Sequence, residues 1–135
     1  MKKLLAVLAV VSLNGCAVWD AYFMTGFDNQ EYMLITQIRV DAQVYKTQCG
    51  NHLVAANNAQ SIAAKTNLFE KYSEKIPKND NGINASRSLN QIAQGLAMSY
   101  IDVKTEPSAT FCRLKYSSIE NAAYVIQTVV GDRPR

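Results

Sequence analysis

The sequence predicts an all-α protein, folded as an antiparallel up-down-up-down four-helix bundle. From residue 28 onward, apolar residues recur three and four residues apart in four segments, the spacing of one face of an α-helix. No segment shows the alternation of a half-buried strand, and the short connections favour antiparallel neighbours. The apolar positions are Ile35, Ile38, Ala42, Tyr45 and Cys49 in the first segment; Ala55, Ala59, Ile62, Thr66, Phe69, Ser73 and Ile76 in the second; Leu89, Ile92, Leu96, Tyr100 and Val103 in the third; and Cys112, Tyr116, Ile119, Ala123, Ile126 and Val130 in the fourth.

The first helix has a clear start signal. Asp28 is a good N-cap residue, and Glu31 stands three positions later, where it can complete a capping box. Phe27 and Tyr32 occupy the two positions of a hydrophobic staple. We therefore expect the first helix to begin directly after Asp28.

The remaining boundaries follow from glycine, proline and asparagine. Gly50 suits a left-handed turn that ends the first helix, and Asn51 suits the N-cap of the second. Residues 77–82 form a polar, turn-rich loop before the third helix. Pro107 is placed to open the fourth helix, and Gly131 is placed to end it.

The first sixteen residues have the order of a secretory signal peptide. Two lysines at positions 2 and 3 precede an apolar run from Leu4 to Val11, and Leu13–Cys16 then reads Leu-Asn-Gly-Cys. An apolar run of about ten residues is only about 15 Å long as a helix, half of a hydrocarbon core of about 30 Å. It is therefore too short to span a membrane, and we expect residues 1–15 to be removed.

The Leu-Asn-Gly-Cys sequence resembles the lipobox of a bacterial lipoprotein. The resemblance implies that Cys16 carries a diacylglycerol and an N-acyl chain, such as palmitate, and that lipoprotein processing and sorting machinery handles the chain. Together these chains give a durable membrane anchor. Ala17, where enterobacterial lipoproteins retained in the inner membrane have aspartate, implies the inner leaflet of the outer membrane, with the protein facing the periplasm. No other cofactor is expected.

Cys49 and Cys112 remain as a pair in a compartment that favours oxidation. In an up-down-up-down bundle the end of the first helix and the start of the fourth lie at the same pole. Both cysteines are at these places, and each lies on the apolar stripe of its helix. We predict a disulfide between them. Two buried free thiols, or a redox-active pair, are the alternatives.

Residues 16–27 form the predicted lipidated, membrane-proximal segment. It is rich in aromatic residues and has little of the polar tether that usually follows a lipidated cysteine. One interpretation is a short helix with Trp19, Tyr22 and Phe23 as anchors in the membrane interface. The other is that these aromatics cover the lower end of the bundle core. The bundle domain would then span 28–131, and 132–135 would be a solvated tail with two arginines near the lipid.

The composition excludes several classes of function. The formal net charge of +3 includes Lys2 and Lys3, so the mature chain is close to neutral, which argues against nucleic-acid binding. His52, the one histidine, has no catalytic or metal-ligating partners nearby in sequence. No catalytic or metal-binding motif is present, so we expect no enzyme activity.

Four tyrosines fall on or beside the apolar stripes, and they are candidates for a groove that receives an amphipathic segment of a partner protein. The alternative is that they fill core and point their hydroxyl groups outward. The second helix is rich in alanine and is the first place to look for a cleft. The tyrosines are Tyr45, Tyr72, Tyr100 and Tyr116.

These features predict a non-enzymatic, protein-binding adaptor or chaperone. The overall plan is similar to the pilotins of type II secretion, small lipidated helical proteins with a cysteine ending one helix and another opening a later one. That resemblance implies binding of a secretin tail and its transport to the outer membrane. The chain also resembles small lipoproteins of phages or plasmids that cause superinfection exclusion, receptor blocking or lysis. A hydrolase is disfavoured because the sequence offers no nucleophile–base pair.

Overall fold

The computed structural model describes residues 25–102 and 104–135, and within them it forms a four-helix bundle without strands. The helices are α1 (Asn29–Lys46), α2 (His52–Ser73), α3 (Asp80–Ser99) and α4 (Ala109–Gly131). Helix α1 packs most extensively on α4, and α2 on α3, while the α1–α2 and α3–α4 contacts are less extensive. The predicted fold class is confirmed.

The predicted apolar stripes form the core. All six positions predicted on α4 are buried, and Tyr116 and Phe69 are the largest side chains with no exposed surface. Most of the positions predicted in the first three segments are likewise buried. The partly exposed ones are Tyr45, Ile76, Ile92 and Tyr100. Val103, the last position predicted on the third segment, lies outside the described residues.

Three helices begin at a side-chain N-cap. The Asp28 carboxylate accepts from the Glu31 backbone N–H at 2.7 Å, Asn51 accepts from Val54 at 3.1 Å, and Ser108 accepts from Phe111 at 3.0 Å. Each cap satisfies one of the unpaired amides of a first turn. The predicted caps at Asp28 and Asn51 are confirmed, and Ser108, next to Pro107, caps α4.

The hydrophobic staple is also present, but the capping box is not. The rings of Phe27 and Tyr32 lie 5.8 Å apart between centroids. Glu31 does not return to the backbone N–H of Asp28; its carboxylate is fully buried among partners from other helices. The prediction of a box was wrong because it considered only local partners.

The predicted left-handed turn at Gly50 is wrong. Helix α1 ends at Lys46, and no glycine of the described ranges has a positive φ. Instead, Thr47 and Gln48 donate to carbonyl groups three residues earlier at 3.1 and 2.9 Å. These 3₁₀-type bonds satisfy the last carbonyls of the helix, so no left-handed residue is needed.

Helix α3 begins inside the predicted loop, at Asp80. The Ile83 N–H donates to the Asn79 carbonyl at 2.8 Å, which starts the first turn two residues after Pro77. The connection from α2 is therefore residues 74–79, which has the predicted length of six residues but lies three residues earlier in the chain. Lys78 adopts the left-handed conformation, with φ of 58°, and this residue turns the chain between the two helices.

The predicted disulfide joins Cys49, just after α1, to Cys112 in the first turn of α4. The two sulfurs are bonded, the Cα atoms lie 5.8 Å apart, and both residues are buried. Antiparallel topology brings these chain positions together, as expected. We call this end of the bundle the disulfide pole, and the opposite end, where α1 begins and α4 ends, the terminal pole.

Candidate functional site

A groove of about 760 Å³ lies at the terminal pole, between the start of α3 and the end of α4. One wall is apolar and comes mainly from α4. Val125 and Val129, one turn apart on this wall, are 59% and 57% exposed, although both border a concave surface. The apolar lining residues are Ala85, Val125, Ile126, Val129 and Val130.

The rim of the groove is polar. It is formed by the connection that leads into α3, by the residues after α4 and by Thr25, the first described residue of the chain. Thr25 Oγ1 donates a hydrogen bond to the Lys78 carbonyl, which attaches the incoming chain to this connection. The polar residues are Thr25, Lys78, Asn79, Asp80, Asn81, Asp132 and Arg133.

A buried ion pair lies beside the groove. Arg133 pairs with Glu31, and its other terminal nitrogen donates to Asn79 Oδ1 at 2.9 Å. Asn79 Nδ2 donates to Glu31 Oε1 and to the Ser73 carbonyl, both at 3.2 Å, and Ser73 Oγ donates to the same carboxylate oxygen at 3.3 Å. The four residues come from α1, from the end of α2 and from the segments flanking α3 and α4. This network therefore ties all four helices together at the terminal pole.

The network corrects the prediction of a solvated C-terminal tail. Arg133 is buried, and the Pro134 carbonyl accepts from the Phe27 N–H at 2.8 Å. Arg135 is exposed, but its guanidinium lies 4.9 Å from the Phe27 ring centroid. The tail packs on the residues before α1 because Arg133 is the buried partner of Glu31.

The absence of a side chain at Gly82 leaves room for Asn79 in this network. A Cβ at this position would come within 2.7 Å of Asn79 Cγ, whereas a Cβ at Gly95 in the same helix would meet nothing within 4 Å. We expect Gly82→Ala to destabilise the protein by about 1–3 kcal/mol, because Asn79 must move and its buried partners lose hydrogen bonds.

The matched control should change the free energy of unfolding in the opposite direction. Gly95→Ala should stabilise the protein by about 0.5–1 kcal/mol, because alanine is the better helix former and the site is open. Urea unfolding of the two variants, followed by circular dichroism, measures the difference. Equal stabilisation by both substitutions would contradict the packing argument.

The four tyrosines predicted for a groove lie in two separate places. Tyr45 and Tyr116 are in edge-to-face contact, with centroids 5.9 Å apart, and Tyr100 is their neighbour near the disulfide pole. The Tyr72 hydroxyl, at the terminal pole, donates to both Asp28 carboxylate oxygens at 3.1 and 3.2 Å. Burial and this hydrogen bond raise the Tyr72 pKa. None of the four lines the groove between α3 and α4.

Tyr116 has no exposed surface, and its hydroxyl has no hydrogen-bond partner within the described ranges. Burial, with smaller contributions from Tyr100 and Tyr45, raises the pKa of this phenol well above its usual range. We expect Tyr116→Phe to leave the free energy of unfolding unchanged or to raise it by up to about 1 kcal/mol, because an unpaired buried hydroxyl is costly.

Tyr72→Phe is the control, because its hydroxyl is bonded to a carboxylate. It should cost about 1.5–3 kcal/mol. Thermal and urea unfolding compare the two variants. A Tyr116→Phe protein as unstable as Tyr72→Phe would mean that the Tyr116 hydroxyl does have a partner.

His52 is the first residue of α2 and lies beside Glu106 and Tyr100. Its Nε2 lies 3.6 Å from Glu106 Oε1 at the surface, and its ring packs on Tyr100 with centroids 5.3 Å apart. Across residues 25–102 and 104–135, no group of three or more His, Cys, Asp or Glu residues could hold a metal ion. In the same ranges, no helix has the length and hydrophobicity needed to cross a membrane.

The predicted lipidation site, Cys16, lies outside the described residues, as do the predicted interface aromatics Trp19, Tyr22 and Phe23. The same holds for the signal peptide and for most of the predicted membrane-proximal helix. Residues 25–27, the part of that region that is described, are not helical.

Comparison with known proteins gives no relative from which a function could be transferred: no family model, curated protein or solved structure matches this chain. The groove itself is therefore the basis for a function. It was not predicted from the sequence, because Val125 and Val129 lie outside the core stripe of α4. A second 3–4 spacing, Ala122-Val125-Val129, was the signal that could have indicated it.

Proposed function

We propose that this protein is a non-enzymatic, lipid-anchored adaptor at the periplasmic face of the outer membrane, and that its groove holds an apolar segment of a partner protein. The exposed valine wall of the groove is the observation that supports this proposal. Val125 and Val129 present apolar surface inside a concavity instead of on a convex helix face. Apolar surface of this kind, rimmed by polar groups, is typical of binding sites.

The spacing of the wall suits a helical ligand. Val125 and Val129 are one turn apart, so an amphipathic helix with apolar residues at three- and four-residue intervals can pack along them. Complete burial of each valine side chain contributes about 1.5 kcal/mol, before the cost of ordering both partners. Such a groove gives moderate affinity, which suits a partner that is carried and then released.

The location of the groove also fits an anchored adaptor. Thr25 lies on its rim and follows Cys16 by nine residues. An extended segment of that length reaches about 30 Å at most. A lipid on Cys16 would therefore hold the groove close to the membrane surface, where a partner inserted in or delivered to that membrane can reach it.

Complementation of a gene deletion tests the proposal. The wild-type gene should restore the outer-membrane location of the partner, which is identified by comparing the membrane fractions of the deletion and complemented strains. Val125→Asp/Val129→Asp should fail to restore it, because two carboxylates in the wall would have to be desolvated against an apolar segment. Cys16→Ser should also fail, and palmitate labelling should show that this variant has lost its lipid.

Val40→Asp/Val44→Asp is the matched control. Val40 and Val44 are one turn apart on α1 and are 49% and 47% exposed, so this variant adds the same two charges to the same type of surface away from the groove lining. It should complement fully. Complementation by the double aspartate variant would overturn the proposal. Resistance to phage or conjugation conferred by the chain alone would instead support an exclusion lipoprotein.

A further inference from the structure

The chain enters the bundle at the edge of the groove. Thr25 is a lining residue, and its hydroxyl donates a hydrogen bond to the carbonyl of Lys78, another residue of the rim. Residues 17–24 read Ala-Val-Trp-Asp-Ala-Tyr-Phe-Met, in which Asp20 is the one charged residue. In the sequence, a strongly apolar segment therefore directly precedes a residue that lines the groove.

We propose that the groove receives the segment Trp19–Met24 of its own chain when no partner occupies it. Val125 and Val129 are the wall residues on which this segment would pack. This inference concerns the empty state of the site, and it holds whether or not the proposed partner exists.

The dimensions agree with this occupant. The wall from Val125 to Arg133 runs about 12 Å along α4 and its end, at 1.5 Å per residue. The six residues Trp19–Met24 span about 9 Å as a helix and about 20 Å when extended. The groove volume of about 760 Å³ lies within the range of pockets that enclose a drug-sized ligand. The segment therefore reaches along the wall without leaving the position set by Thr25.

The occupant and the wall also match in chemistry. The wall supplies aliphatic side chains and the segment supplies three aromatic rings, which bury about 150–250 Å² each when enclosed. If the rings stayed in water, the apolar surfaces of both the rings and the valines would remain hydrated. Contact between them removes both surfaces from water, which is favourable. Since Thr25 tethers the segment, docking also avoids the loss of translational freedom that a separate ligand incurs.

Trp19 makes the inference measurable, because it is the one tryptophan of the chain. The full-length processed protein is mixed with vesicles of phosphatidylethanolamine and phosphatidylglycerol, and Trp19 fluorescence is quenched in two ways. Acrylamide reports contact with water, and brominated phospholipids report contact with the membrane interface. If the segment is docked, Trp19 is protected from both quenchers, and its emission lies at a shorter wavelength than that of the urea-unfolded protein.

Variants of the groove then test whether the groove is what protects Trp19 from the two quenchers. Val125→Asp/Val129→Asp should raise quenching several-fold and shift the emission to longer wavelength, while helical circular dichroism stays unchanged because both positions are exposed in the bundle. Val40→Asp/Val44→Asp should behave like the wild type. This assay contains no partner, so its outcome is separate from the complementation result.

Three outcomes would overturn the inference. Strong quenching of the wild type by brominated lipid would place Trp19 in the membrane interface. Strong quenching by acrylamide would place it in water. Protection that is lost on dilution would show that the groove is filled by the segment of a second copy, and not by the segment of the same chain.

Discussion

Replacement of Arg133 by alanine should destabilise the protein by about 3–5 kcal/mol, the cost of breaking a buried ion pair by removing one member. Glu31 has no exposed surface and the Arg133 side chain is 7% exposed, so water cannot solvate the carboxylate that remains. Ser73 and Asn79 donate hydrogen bonds to it at 3.3 and 3.2 Å, but they carry no charge to replace the guanidinium. We therefore expect a large fall in the urea midpoint.

Arg135→Ala is the control for this loss. Arg135 lies two residues further on and is exposed, with its guanidinium over the Phe27 ring, a contact worth about 0.5–1 kcal/mol at the surface. Urea unfolding followed by circular dichroism gives both values. If the two substitutions cost the same, the buried pair contributes nothing beyond an ordinary surface arginine.

A double-mutant cycle separates the pair from its surroundings. Glu31→Ala and Arg133→Ala each leave one buried charge, whereas the double variant leaves none. The double variant should therefore lose clearly less stability than the two single losses added together. Simple additivity would mean that the two side chains do not interact in the folded protein.

Reduction of the Cys49–Cys112 disulfide should lower the free energy of unfolding by about 4 kcal/mol. The two cysteines are 63 residues apart in sequence, so the bond restricts a long loop of the unfolded chain. Loop-closure entropy gives the magnitude, and the value falls if the reduced unfolded state retains structure. Urea unfolding of the wild-type protein with and without dithiothreitol measures the effect.

Cys49→Ala/Cys112→Ala supplies the control, because it should show the same stability with and without reductant. Its stability should lie at or below that of the reduced wild type, since Cys112 is fully buried and alanine leaves a small cavity. A wild-type protein whose unfolding is insensitive to reductant would refute a stabilising disulfide.

These two interactions secure opposite ends of one bundle. The disulfide joins α1 to α4 at one pole, and the Glu31–Arg133 pair joins the same two helices at the other. Helices α3 and α4 are packed less extensively on each other, and the groove opens between them. The firmly held α1–α4 pair thus provides a stable wall, while the α3 side leaves room for a ligand.

The pattern of residues in the sequence was sufficient to predict the four-helix architecture. The six predicted positions of α4 are all buried because a 3.6-residue period directly reports which face of a helix meets the core. The Cys49–Cys112 bridge was predictable because short connections force neighbouring helices to be antiparallel. The caps at Asp28 and Asn51 were predictable because they depend on amides two or three residues away.

The ion-pair network was not predictable from the same pattern. Glu31 looked like a capping-box residue because the rule considers partners within one turn, but its charged partner is 102 residues further along the chain. Arg133, in a short charged tail after a glycine, looked solvated for the same reason. The pairing depends on how four helix ends converge, and no local rule contains that information.

The chain by itself thus determined the helices, their order and the cysteine pairing, since each depends on periodicity, local hydrogen bonding or topology. Only the tertiary structure decided where a binding surface remains. Val125 and Val129 form a groove wall because a space remains between the start of α3 and this end of α4. Beside that space, the absence of a side chain at Gly82 leaves room for Asn79, which is hydrogen-bonded to Arg133 and Glu31. Such a concavity arises from the space between elements, and a sequence specifies that space only after the elements have packed.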